Sequence, residues 1–115
     1  MAVKVATKPM GRLRYGSALL FDYERIGPGS TITSDWILCE DDEVKTFGFY
    51  PTSSGTCRID VSFIGTARSR EYWSDRTGPG SLLTASFTEC FRYARGKIKC
   101  GAAGSADLYY GGMLK

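Results

Sequence analysis

One stretch of this chain occurs twice. Residues 25–40 read RIGPGSTITSDWILCE and residues 76–91 read RTGPGSLLTASFTECF. Aligned without a gap at an offset of 51, they share Arg25/Arg76, Thr33/Thr84 and Cys39/Cys90, with Trp36 opposite Phe87. They also share a whole turn, Gly27, Pro28, Gly29 and Ser30 against Gly78, Pro79, Gly80 and Ser81. Two copies of about 48 residues are too few for a solenoid, which needs three or more repeats. They fit a pseudo-twofold β structure. The flanks agree: YGSA at 15–18 and FIGTA at 63–67 put an aromatic and a glycine before each copy, and DLYYGG at 107–112 resembles DVSFIG at 60–65. The 115 residues thus divide into a basic leader (1–14), a first repeat (15–62) and a second repeat (63–115), within a single domain.

Local patterning is that of strands. In 57–63, Cys57, Ile59, Val61 and Phe63 alternate with Arg58, Asp60 and Ser62, the period of a half-buried strand. Residues 83–93 alternate likewise through Leu83, Ala85, Phe87, Phe91 and Tyr93, and Phe47 and Phe49 share a face across Gly48. Both Gly-Pro-Gly-Ser segments carry turn chemistry, glycine for positive φ and proline to hold φ near −65°. Only residues 69–76 have room for a short helical turn. The expected fold is all-β: a single-domain sandwich or barrel of about seven to nine short antiparallel strands with an internal duplication.

Residues 90–100, CFRYARGKIKC, read as a hairpin. A three-residue loop at 94–96 sets Cys90 opposite Cys100 but mixes apolar and charged side chains on both faces. A two- or four-residue loop sets Phe91 against Cys100, Tyr93 against Ile98 and Arg92 against Lys99, giving one apolar and one basic face. Burial of one face selects the second register, in which Cys90 and Cys100 point apart. The even count of cysteines (Cys39, Cys57, Cys90, Cys100) suits two disulfides in an oxidising compartment. The register and the apolar setting of Cys57 and Cys39 favour buried thiols. No C-x₂-C knuckle marks a zinc site.

The chain has no histidine, which excludes Ser-His-Asp and Cys-His catalysis and imidazole ligation. The Gly-Pro-Gly-Ser loops lack the lysine and helix of a phosphate-binding loop. They read as tight turns, or as paired binding loops each led by an arginine (Arg25, Arg76). The acidic run at 40–43 lacks the alternating order of a calcium loop and reads as an exposed polar loop. Asp60 and Asp107 hold matching repeat positions, which points to structure rather than chemistry. No catalytic residue, cofactor or metal is expected, and the chain reads as not an enzyme.

The net charge of +3 conceals a pattern. Lys4, Lys8, Arg12 and Arg14 all precede the first acid, Asp22, and form a basic arm suited to an acidic partner. Arg92, Arg95, Lys97 and Lys99 form a second cluster, a possible anion or nucleic-acid surface. Tyr72 with Trp73, and Tyr109 with Tyr110, are tandem aromatics. Side chains alternate across a strand, so one ring of each pair is expected to face a partner. No apolar run exceeds four residues, the length of 36–39, far short of a membrane span or a signal-peptide core. Synthesis in the cytosol without a membrane partner is expected, or secretion if the cysteines are bonded.

The spacing aromatic-x₇-Gly recurs from Phe21 to Gly29 and from Tyr72 to Gly80. In a two-copy layout it resembles the βγ-crystallin family, which implies a Greek-key β fold. That family's repeat is shorter, and its second aromatic and its calcium signature are missing here, so no site residue transfers. Three functions follow as expectations. The first is a non-enzymatic structural or assembly protein, a small accessory or capsid-associated component of a virion or phage that contacts other protein subunits in a homo- or hetero-oligomer. The second is a disulfide-stapled extracellular module binding carbohydrate or protein. The third is a nucleic-acid-binding β domain.

Overall fold

A computed structural model describes residues 3–5, 15–40, 42–63 and 69–114. They form strands and no helix: β1 (Val3–Val5), β2 (Tyr15–Ile26), β3 (Thr31–Thr33), β4 (Trp36–Leu38), β5 (Asp42–Pro51), β6 (Gly55–Ser62), β7 (Arg70–Thr77), β8 (Leu83–Phe87), β9 (Tyr93–Cys100) and β10 (Gly104–Leu114). The small sheet runs β2-β10-β5-β8, and the large sheet runs β1-β4-β9-β6-β7 with β3 also beside β9. The pairs are antiparallel except β1 with β4. The alternation predicts an all-β sandwich or barrel, and the chain is all-β with two sheets.

The duplication governs the strand order. The first repeat supplies β2, β3 with β4, β5 and β6, and the second supplies β7, β8, β9 and β10. Numbered within each repeat, the small sheet reads first, fourth, third, second, and so does the large sheet from β7 inward. Repeats alternate within both sheets. The equivalent turns do equivalent work: one carries the chain from β2 in the small sheet to β3 in the large, the other from β7 in the large to β8 in the small. Gly29 and Gly80 take φ of 69° and 68°, which a side chain would oppose. Gly29 N donates to the carbonyl of Cys100 at the end of β9, and Gly80 N to that of Pro51 at the end of β5, both at 2.9 Å.

The core lies between the sheets. Phe47 and Phe49 of β5 bury fully, with Ile59 of β6, Ile98 of β9 and Leu108 of β10. Phe47 meets Tyr110 edge-on at 5.1 Å, and Phe49 stacks on Trp73 at 5.8 Å. Each such side chain contributes about 1.5–3 kcal/mol by leaving water. Lys45 also faces inward, 1% exposed. It persists there because its ammonium donates to the Glu89 carbonyl at 2.8 Å and lies 4.9 Å from the Phe91 ring centre.

Several local expectations are corrected. Residues 90–100 are not a hairpin. β9 is one strand through Gly96, paired with β6 on one side and with β3 and β4 on the other. Glycine at 96 reflects packing rather than a turn, since a Cβ there would strike the Leu108 side chain. Residues 69–76 are not a helical turn: Arg70 onward is β7, which covers the free edge of β6. The alternation over 83–93 breaks after Phe87, where β8 ends. Phe63 lies past the end of β6 and is 61% exposed. The acidic run is not wholly an exposed loop, because Asp42 is buried and accepts a hydrogen bond from the Tyr110 hydroxyl. Burial, and next the neighbouring Cys39, push the Tyr110 phenol far above its ordinary range.

Candidate functional site

The sandwich leaves two broad outer faces of opposite character. On the large sheet, alternation along β9 sends Ala94, Gly96, Ile98 and Cys100 inward and Tyr93, Arg95, Lys97 and Lys99 outward. The register aligns these with β6 and β7 in rows: Lys99 with Thr56 and Arg76, Lys97 with Arg58 and Ser74, and Arg95 with Asp60 and Glu71. Thr31 of β3 flanks Lys99 on the other side.

Asp60 is the hub of this face. Its side chain is 1% exposed and accepts from Arg58 Nε at 2.6 Å, Lys97 Nζ at 3.3 Å and Arg95 Nε at 3.4 Å. A carboxylate out of water requires such partners, and three cations around one acid leave the face basic. Glu71, half exposed, reaches Arg58 at 3.3 Å. The Arg95 guanidinium also covers the Trp36 ring at 4.4 Å. Arg92 stands apart, paired with Glu40 at 2.9 Å and lying over Tyr93. Of the basic cluster, Arg95, Lys97 and Lys99 therefore share a face with Arg58 and Arg76, while Arg92 does not line up opposite Lys99. Arg58 and Asp60 are not among the binding residues expected from the sequence, and Arg76 is expected there only as the arginine leading a binding loop. The alternation of 57–63 already put Arg58 and Asp60 on one polar face, and that was the available signal.

The outer face of the small sheet is uncharged through its middle. Leu19 of β2, Tyr109 and Met113 of β10 and Tyr50 of β5 project there, with Leu82 beside them. Gly48 forms a floor, with the Leu82 side chain 3.5 Å and the Tyr109 ring 3.6 Å from where its Cβ would stand. A depression of about 430 Å³ results, lined by Leu19, Thr46, Gly48, Leu82, Thr84 and Tyr109 among others. At one end Asp107 accepts from Tyr23 N at 2.8 Å and from the Tyr109 hydroxyl at 3.1 Å. That bond is the main cause holding the Tyr109 phenol above its ordinary value.

The tandem aromatics divide. Tyr109 is 46% exposed and Tyr110 is 1% exposed, the alternation expected of a strand. Tyr72 and Trp73 do not alternate. A register shift between Ile59 and Asp60 lets both rings pack inward, Tyr72 on Phe87 and Phe91, Trp73 on Phe49 and Phe87. Of the basic arm, Lys8, Arg12 and Arg14 lie outside the described residues. Lys4 is placed by its backbone in β1, paired with Ile37. Gly27, Pro28, Gly29 and Ser30 are exposed at one turn, and Pro79, Gly80 and Ser81 at the other. None of the described residues forms a helix long and apolar enough to cross a membrane.

All four cysteines are free thiols, with Cys39, Cys57 and Cys100 buried and Cys90 exposed. Burial pushes the Cys57 thiol up to about 12. A native-state thiol titration in mildly alkaline buffer is therefore expected to label Cys90 within minutes and the other three only on unfolding. Because this thiol titrates from 9.0 unfolded to about 12 folded, its contribution to stability is complete below pH 9.0 and declines as pH rises through that interval. Equal labelling of all four native thiols would contradict the burial.

No family model matches the chain, and no curated protein matches it. The likeness is to solved structures. The PBSX exported protein XepA aligns with a TM-score of 0.70 at 15% identity, over 86% of this chain and 37% of that one. PirA aligns with a TM-score of 0.53 at 10% identity, over 84% of this chain and 92% of its own. A part of tripeptidyl peptidase 2 aligns with a TM-score of 0.56 at 13% identity, over 96% of this chain and 10% of that one. At these identities the likeness is one of fold. The chain spans well under half the length of the XepA chain it matches.

Proposed function

We propose that this chain is a non-enzymatic structural module, a small accessory or capsid-associated component of a phage-like particle, that acts through protein–protein contacts. The observation that carries the reading is the apolar middle of the outer face of the small sheet, where Leu19, Tyr50, Leu82, Tyr109 and Met113 stand exposed together. Clustered exposed apolar residues mark interaction sites. The absence of histidine removes the commonest acid–base chemistry. The fold is shared with the PBSX exported protein XepA.

The occupant assigned to this face is a second copy of the chain. The middle of this face, around Leu19, Gly48, Leu82 and Tyr109, buries against itself without stranding a charge, as a twofold interface requires, with Asp107 left at the rim, whereas the basic outer face of the large sheet would repel its copy. Sedimentation of the purified chain should show a concentration-dependent dimer. Leu82→Glu with Tyr109→Glu, at exposed positions away from the core, should weaken it by about 100-fold, since each copy would bury two unpaired carboxylates. A wild-type chain that stays monomeric at high concentration, or a double variant that dimerises equally well, would overturn this interface.

A further inference from the structure

The basic face of the large sheet is a second surface, on the opposite side of the molecule, that the assembly reading does not use. We propose that it binds the phosphodiester backbone of a nucleic-acid strand. Lys99 and Arg76 form one cross-strand row of cations, and Lys97 and Arg58 form the next. Rows two residues apart along a strand are separated by about 6.6–6.8 Å, close to the distance between successive phosphates of an extended nucleic-acid strand. Thr31 and Thr56 bracket Lys99 with hydroxyls. A depression of about 420 Å³ opens between them, lined also by Arg58, Glu71 and Lys97.

The charge there is unbalanced. Among the described residues, the acids aligned with Lys99, Lys97, Arg95, Arg58 and Arg76 on this face are Asp60 and Glu71. Asp60 is already shared among three cations. Lys99 and Arg76 have no ion pair among the described residues, and Glu71 is engaged by Arg58. Arg95 is committed to Asp60 and the Trp36 ring, and Arg92 to Glu40. The ligand therefore lies toward the Lys99 end. Trp36 is 1% exposed and Tyr93 lies beneath Arg92, so the described residues of this face offer no open aromatic on which bases could stack. Binding is through phosphate alone and indifferent to base sequence.

The test is fluorescence anisotropy of a labelled, mixed-sequence single-stranded oligonucleotide with the whole chain over a range of salt. Four phosphate contacts predict a slope of log K against log salt of about −2.8, or about 50-fold weaker binding at 200 mM than at 50 mM salt. Arg76→Ala with Lys99→Ala, which removes one row without breaking an ion pair, should reduce the slope to about −1.4. Arg25→Ala, at the equivalent place in the first repeat but on the small sheet, should leave it unchanged. A slope near zero, an unaltered double variant, an equal loss in Arg25→Ala, or binding of heparin without binding of the oligonucleotide would each overturn the proposal.

Discussion

Division of the chain between residues 63 and 69 should produce two halves, neither of which folds alone, and an equimolar mixture that regains the β-sheet spectrum. The reason is the order of strands. β2–β10, β10–β5, β5–β8, β6–β7, β6–β9, β9–β4 and β9–β3 each join one repeat to the other. The one pair within a half is β1 with β4, three residues long. A half-chain could therefore keep almost none of its native hydrogen bonds, and its strands would present open edges. Isolated strand pairs are marginal even when complete. Far-UV circular dichroism of each half, then of the mixture, reads the outcome directly. A half that unfolds cooperatively by itself would contradict the interleaved order. Apart from β6 with its successor β7, the same order pairs strands distant in sequence, so refolding of the intact chain belongs on the millisecond-to-second scale of β sandwiches.

Asp60→Asn should cost about 2–4 kcal/mol of stability. The carboxylate is 1% exposed and holds three cations within 3.4 Å. An amide of the same shape keeps the volume but removes the charge, leaving Arg58, Arg95 and Lys97 crowded on adjacent strands. The cations are partly exposed, so water screens part of the repulsion and the loss stays below that of a fully buried network. Glu71→Gln provides the contrast: half exposed and paired, among the described residues, with Arg58, it should change stability by less than about 0.5–1 kcal/mol. Urea unfolding with an unchanged m-value compares them. Equal midpoints for the two variants would mean that Asp60 does not organise the face.

What could be read from residues alone was local or repetitive. Alternation in 57–61 and at Phe47 and Phe49 announced strands, because a pleated chain puts successive side chains on opposite sides. The turns at 27–30 and 78–81 were legible because glycine and proline restrict backbone angles without help from distant residues. Tyr109 and Tyr110 divided between faces as alternation requires. Where a neighbour intervened, the reading failed. Gly96 looked like a turn because the bulk of Leu108, which excludes a side chain there, comes from a strand of the other sheet. Tyr72 and Trp73 turned the same way because of a register shift against β6. Asp42 looked like a loop acid because its partner Tyr110 is distant in sequence.

The candidate surfaces divide along the same line. Lys97 and Lys99 were visible as a basic run, but Arg58 and Arg76 join them only through pairing, and Arg92 leaves them for Glu40. The apolar face draws Leu19, Tyr50, Leu82 and Tyr109 from four separate segments, and no window of sequence contains them together. The amino-acid sequence by itself determined that this chain is built of strands, that its two halves are related, and that histidine chemistry is absent. Each follows from residue type and short-range period. Tertiary structure alone decided that the repeats interleave strand by strand, that a buried Asp60 gathers a basic sheet face, and that the opposite face is uncharged through its middle. Those outcomes depend on which distant strands pair and in what register, and a one-residue shift would have turned every one of these side chains to the other side.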